Sequence, residues 1–278
     1  REEQRLEVIA GSLHSDDLFL RRLLVAADQF IVDRQSTGGK SIIAGYPWFS
    51  DWGRDSLISL PGLTLVTGRI EEARSILKTF AASIHHGLIP NCFADKGNEA
   101  MYNSVDASLW FFFAAFKYIE YTDDYDFVRD YLYEAMTQIV ESFQQGTHFE
   151  VKMDAEDGLI SAGNPDVQMT WMDAKVDGWV VTPRNGKAVE VNALWYNALR
   201  IIAIFQEKFE GHSREITSLA KKVKASFRKT FWNEDEQCLY DVIGSDGDLD
   251  DSFRPNQIFA VYLPFSVLEH PQEKLVVD

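Results

Sequence analysis

The chain is 278 residues long, 46% hydrophobic and 25% charged, with a formal net charge of −16. That composition provides for one large core and excludes a disordered chain. The negative balance excludes a protein that tracks nucleic-acid phosphates, because counterion release needs clustered Lys and Arg, and a neutral ligand such as a sugar fits better.

The charged N-terminus, Arg1-Glu2-Glu3-Gln4-Arg5, leads into no apolar secretory segment, so no signal peptide and a cytoplasmic location are expected. Next, Leu18, Leu20, Leu23, Leu24, Ala27, Phe30 and Ile31 form one apolar stripe, with Asp16 placed to cap it, which predicts a helix over 15–34. Helical periodicity then continues over 54–67, 69–84, 104–121, 124–146, 188–209, 213–232 and 255–269. Short strand signals fall in the connections, at Phe149-Glu150-Val151 and from Cys238 to Val242. The most apolar run, Leu109 to Phe116, meets Lys117 at once, so no stretch of membrane-spanning length is present. Cys92 and Cys238 are too few and too far apart for a disulfide framework or a zinc site. No Gly/Ser-rich linker divides the chain, and a single domain over 1–278 is expected.

Four of these helices open on a polar residue and turn strongly apolar, beginning at Arg54-Asp55, Val105-Asp106, Val191-Asn192 and Pro255-Asn256, roughly 50 to 90 residues apart. An amphipathic, charged helix follows each of the first three, the last of them carrying Lys221, Lys222 and Lys224. The alternation predicts an all-α barrel of inner and outer helices. If the inner helices run the same way, Asp55, Asp106, Asn192 and Asn256 converge at one end with unpaired backbone N–H groups, and that end is the predicted site.

Around it, the loop 45–55 places Trp48, Phe49 and Trp52 among Asp51, Arg54 and Asp55. Sugars need such a mixture: aromatic faces for the C–H groups of a pyranose, and dense donors and acceptors for its hydroxyls. A capped helix start with its Trp side chains in the core fits the same residues. Thr170-Trp171-Met172-Asp173-Ala174-Lys175-Val176-Asp177-Gly178-Trp179 lies in the longest connection. There Asp173 between two tryptophans has the surroundings of a desolvated general acid, with Lys175 opposing the shift, while Asp173 or Asp177 also fits a turn carboxylate. Asn103, Asp106, Glu190, Asn192 and Asn256 stand at helix starts, where N-capping accounts for each singly and their shared end for all together.

Other segments carry no chemistry on this reading. The acidic run Asp246 to Asp251 lacks the ligand positions of a calcium-binding loop. His85-His86, adjacent in sequence, predicts a loop or helix end rather than a metal site. Gly38-Gly39-Lys40 has no phosphate-loop context, and no metal or cofactor is expected.

Four segments in order, Gly45-Tyr46-Pro47-Trp48-Phe49 with Trp52-Gly53-Arg54-Asp55, Thr170-Trp171-Met172-Asp173, Glu190 to Tyr196, and Arg254-Pro255-Asn256-Gln257, resemble the amylo-α-1,6-glucosidase domain of glycogen debranching enzymes through nearly the whole chain. The resemblance implies an (α/α)6 barrel that hydrolyses the α-1,6 glucosyl stub of a trimmed glycogen branch, with inversion. An inverting enzyme uses one carboxyl group to protonate the leaving oxygen and another, roughly 6.5 to 9.5 Å away, to activate water. By the resemblance Asp173 is the acid, Arg54 and Asp55 grip the terminal glucose, and Trp48 and Trp52 line its pocket. Asn103, Asp106, Trp171, Lys175, Trp179 and Glu190 complete the rim, while Asp51, Asp177, Asn192 and Asn256 join the set from their places in these segments. The base of such barrels lies in their final helices, and the chain stops at Asp278 after eight of an expected twelve. The barrel is therefore expected to be incomplete at its C-terminus, with the base absent from this chain. The partner implied is an α-glucan. A glucoamylase- or trehalase-like glucosidase of the same barrel class, and a sugar-binding protein without catalysis, remain as alternatives.

Overall fold

A computed structural model describes residues 17–93, 99–167 and 169–278. Its helices are α1 (Leu18–Asp28), α2 (Gly53–Leu60, prolonged by a π-helical turn Pro61–Leu65), α3 (Ile70–Ala82), α4 (Asp106–Thr122), α5 (Tyr125–Tyr131), α6 (Tyr133–Gln145), α7 (Val189–Glu210), α8 (Arg214–Phe231), α9 (Phe259–Tyr262, entered by a 3-10 turn Pro255–Ile258) and α10 (His270–Val277).

The alternation of inner and outer helices is present. Helix α4 buries every residue from Asp106 to Ala115, and α7 every residue from Val189 to Leu199, whereas α8 buries only Ala220, Val223, Phe227 and Phe231 and leaves Lys221 and Lys222 in water. A helix that is apolar nearly all round must be enclosed, and one with a single stripe closes the outside. Helices α2, α4, α7 and α9 pack side by side in that order, and α8 covers α7. The buried side chains of all these elements form one continuous cluster. Among the described residues no helix is long and apolar enough to cross a membrane.

Three expected helices differ. The first, expected over 15–34, ends at Asp28, and Ile31–Arg34 (β1) instead pairs antiparallel with Gly39–Ile42 (β2). The β-branched pair Ile31-Val32 and the turn before Gly39 favour a strand over a further helical turn. Asp16 lies outside the described residues, and Asp17 caps α1 by accepting from the Phe19 N–H. Of the predicted stripe only Leu24 is buried, while Leu18, Leu20 and Leu23 are exposed. The helix expected over 124–146 is divided at Leu132, whose φ of −116° opens the turn between α5 and α6. The one expected over 255–269 stops after Tyr262, because Leu263 precedes Pro264 and is extended (ψ 155°). The chain becomes helical again at His270, behind a capping box of Glu269 and Gln272.

The connections carry short antiparallel pairs: Lys152–Met153 (β3) with Ile160–Ser161 (β4), Lys175–Val176 (β5) with Trp179–Val180 (β6), and Trp232–Asn233 (β8) with Cys238–Leu239 (β9). Lys187–Ala188 (β7), Val242–Ile243 (β10) and Leu249–Asp250 (β11) make a three-stranded sheet in the order β11-β10-β7. The strand expected at 149–151 is a 3-10 turn at His148–Glu150, with β3 starting one residue beyond Val151. The sheet matters for function because Val242 pairs with Ala188, which sets Asp241 beside the first turn of α7.

Candidate active site

The starts of the inner helices do meet. Arg54 and Ile58 of α2, Asp106 and Trp110 of α4, Glu190 and Leu194 of α7, and Asn256 with Phe259 before and in α9 line one cavity of about 320 Å³, together with Trp171. Each of the first three pairs is i, i+4, so one face of each first turn looks into the same space. Trp110 and Phe259 stand edge to face there, with centroids 5.6 Å apart. A second cleft of about 340 Å³ adjoins it, lined by Ala44, Phe49, Trp52, Arg54, Asp55 and Asp173. Arg54 is the one side chain common to both.

The position of Arg54 is set by its neighbours in sequence. Gly53 donates its N–H to the Asn91 carbonyl at 2.9 Å, and a Cβ at Gly53 would come within 2.2 Å of the Pro90 carbonyl oxygen, so only glycine allows this approach. The guanidinium then forks onto Asp106, Nε to Oδ2 at 2.6 Å and Nη2 to Oδ1 at 2.9 Å, and Nη2 also reaches the Ser104 hydroxyl at 3.2 Å. Ser104 in turn donates to Asp106 Oδ1 at 2.6 Å. The remaining nitrogen, Nη1, makes a single longer contact of 3.4 Å to Asp173 Oδ2. Burial opposes the Arg54 charge, but Asp106 and then Asp173 outweigh it, and the proton is held more firmly than usual.

Desolvation, expected at Asp173, falls on a different carboxyl. The Asp173 side chain is 37% exposed and faces a cation. Asp55, in the same cleft, is pushed above the ordinary carboxylate range, by partial burial first and by Asp106 and Asp173 as well, with Arg54 pulling the other way.

A second arginine organises the other half of this end. Arg184, fully buried, forks onto Glu190 (Nη1–Oε1 2.5 Å, Nη2–Oε2 2.7 Å) and onto Asp241 (Nε–Oδ2 2.8 Å, Nη2–Oδ1 2.9 Å). Asp241 also accepts from Arg254 and, at 2.6 Å, from Asn256 Nδ2. Asn256 Oδ1 then accepts the Trp171 indole N–H at 2.8 Å, so the network ends on an aromatic ring of the cavity wall. Burial pushes the Glu190 carboxyl up and Arg184 opposes it, while Glu190 and Asp241 together raise the Arg184 guanidinium against its own burial.

Of the residues singled out from sequence, Arg54, Asp55, Asp106, Asp173, Trp52, Trp171, Glu190 and Asn256 are brought to these two spaces. Asn192 is not: fully buried, it donates to the carbonyls of Ile160 and Ala188 and accepts from the Ile160 N–H, fastening β4 to α7. Asp51 is also buried, with Arg34, Ser41 and Ser50 as partners, and holds the loop 45–52 on β1 and β2. Asn103 accepts from Asn91 at 3.4 Å. Trp48 is 80% exposed, and Phe49 takes the lining place beside Trp52. Lys175, Asp177 and Trp179 belong to the β5–β6 hairpin: Lys175 bonds the Asp166 carbonyl, Trp179 is exposed, and Asp177 (φ 48°) with Gly178 (φ 84°) makes the two-residue turn.

Sequence reasoning missed Ser104, Arg184 and Asp241. Asp241 follows the apolar stretch Cys238-Leu239-Tyr240, and a carboxylate at the end of a buried strand needs a cation. That signal was available; nothing local to Thr182-Pro183-Arg184 named the partner.

The first turns of four inner helices, packed side by side around one aromatic-lined pocket, define the class: this is a glycoside hydrolase fold of the (α/α)6 toroid kind. Solved structures agree on the fold. The neutral trehalase of Saccharomyces cerevisiae superposes with a TM-score of 0.65 at 14% identity, over 89% of this chain and 57% of that one. The GH78 family rhamnosidase of Bacillus sp. GL1 gives 0.62 at 15% identity, over 81% of this chain and 22% of that one. The family described as Amylo-alpha-1,6-glucosidase matches residues 25–278, and the chain belongs to it. Among curated proteins the glycogen debranching enzyme of Saccharomyces cerevisiae is 28% identical over 268 residues, covering 73% of this chain; the match spans 17% of the length of that relative.

Proposed function

We propose that this domain hydrolyses the α-1,6-glucosidic bond of a single glucose left at a branch of glycogen or a related α-glucan, with inversion. Residues 1–278 are taken as one catalytic domain, since a single cluster of buried side chains runs from Ile42 to Val276. The observation that carries the reading is the division of labour on Arg54. Asp106 takes the bidentate face of the guanidinium, and Asp173 keeps one contact of 3.4 Å at a cleft shared with Asp55, Phe49 and Trp52.

On this reading Trp52 and Phe49 receive the C–H faces of the glucose, and Arg54 and Asp55 bond its hydroxyls. Asp173, in the same cleft, is the proton donor. It gives that proton to the departing glycosidic oxygen as the bond to the anomeric carbon breaks. Four buried carboxylates at this end are not free to activate water. Asp51, Asp106, Glu190 and Asp241 are all committed to arginines.

The linkage is tested by glucose release from α-1,6-branched, α-1,4-linked and α,α-linked substrates with the full-length gene product. A clear preference for the branch stub is expected, and equal rates on all three would overturn the assignment. The trehalase likeness supports a second reading, an α-glucosidase of the same fold acting on another linkage, which the same comparison decides. Proton NMR of fresh product is expected to show β-glucose first.

A further inference from the structure

Away from the sugar cleft, two turns bring three histidines together. His85 and His86 follow α3, and His148 follows α6; one ring nitrogen from each lies within 4.8 Å of the other two, and all three residues are exposed. His86 meets both neighbours edge to face, with centroids 4.3 Å from His85 and 4.5 Å from His148, while His85 and His148 lie parallel at 6.1 Å. Adjacent His85 and His86 point to one place because their backbone does not continue a helix: His86 (φ 50°) and Gly87 (φ 75°) form a tight turn closed by reciprocal bonds between His85 and Leu88.

The backbones on both sides are fixed. A Cβ at Gly87 would lie 2.2 Å from that of Ser142, so the turn sits directly on α6. The Thr147 hydroxyl donates to the His86 carbonyl, and Tyr102 packs on the His85 ring while its own hydroxyl bonds the Ser83 carbonyl. What is free to move is the imidazoles. On a tetrahedral ion with Zn–N bonds near 2.0 Å the ligand nitrogens stand about 3.3 Å apart, so binding requires these exposed rings to turn inward from a spacing of up to 4.8 Å.

The geometry points to a binding site for one borderline divalent cation, Zn2+ or a similar ion, held by His85, His86 and His148. Neutral imidazole nitrogens suit Zn2+, Cu2+ and Ni2+ and not Mg2+ or Ca2+, and three histidines leave one coordination position to water. The bound ion crosslinks the end of α3 to the end of α6. It thereby steadies the segment that continues into Ile89, Pro90 and Asn91, where Ile89 N–H bonds Ser108 and the Pro90 and Asn91 carbonyls face Gly53. The site is structural, one connection removed from Arg54.

Calorimetric titration of untagged, chelator-treated protein with Zn2+ tests it, alongside His86→Gln and His148→Gln, whose side chains are exposed and whose fold is checked by circular dichroism. The expected result is one ion per chain with a dissociation constant on the order of 1 µM, weakened at least ~10-fold in each variant, and a zinc-dependent rise in melting temperature that both variants lose. Mg2+ should give no heat. No saturable binding below about 1 mM, or undiminished zinc affinity in both variants, overturns the site.

Discussion

Both arginine clusters at the inner-helix starts are built from the same parts, a guanidinium between two carboxylates, yet they differ in what they leave unsatisfied. Arg184 is fully buried and both of its acids, Glu190 and Asp241, are gripped by forks. Arg54 grips only Asp106 in that way and touches Asp173 once, at 3.4 Å, where the cleft opens. A closed cluster fixes geometry, and an open one keeps a carboxyl able to exchange a proton and a hydroxyl partner able to enter. Chemistry is therefore assigned to the Arg54 side and support to the Arg184 side.

The sharpest way to break this contrast is Arg184→Met. Removing one member of a buried ion cluster leaves Glu190 without its cation and Asp241 with only Arg254 and Asn256, and should cost about 3–5 kcal/mol of stability, read from urea unfolding. Wild-type stability in that variant would mean the network is not structural. Next comes Arg54→Lys. A lysine cannot reproduce the fork onto Asp106, so kcat/KM for branch-stub hydrolysis should fall on the order of 100-fold, with a smaller shift of the urea midpoint than Arg184→Met produces.

The smallest expected effect is on pH dependence, and its sign differs between Asp250 and Asp55. Asp250 is held below its ordinary range: burial pushes it up, but bonds from Ser252 and from Arg254 outweigh that. Its contribution is present above the unfolded carboxylate pKa, about 3.9, and is lost as pH falls through the lower folded value. Asp55 is raised, chiefly by partial burial, so its contribution runs the other way and stability falls as pH climbs from about 4 toward its folded value. Urea midpoints between about pH 6 and 3 should therefore drop less steeply in Asp250→Asn and more steeply in Asp55→Asn than in the unaltered protein. Equal slopes would remove the distinction.

The parts legible in sequence were those with local causes. Leu109 to Phe116 is apolar on every side and could only be an inner helix, and the polar openings at Arg54, Asp106 and Asn256 marked the end where they meet. The alternation of all-apolar and one-striped helices gave the barrel. The rest depended on distant pairings. Arg184 and Asp241 are 57 residues apart and acquire meaning only when β10 pairs with β7. Asn192 could not be placed from sequence, because a helix-start asparagine serves a neighbouring strand as well as it serves a ligand. The stripe of α1 predicted burial that only Leu24 has, and His148 could not be joined to His85 and His86 until the turn at Gly87 was known.

The central claim, that Asp173 supplies the proton to the leaving oxygen, is tested most directly by Asp173→Asn on two substrates. An α-1,6 branch stub needs a protonated leaving group, and α-glucosyl fluoride does not. The account predicts a fall in kcat of about 10³-fold on the branched substrate and less than ~10-fold on the fluoride. Equal losses on both substrates, or undiminished hydrolysis of the branch, would contradict it.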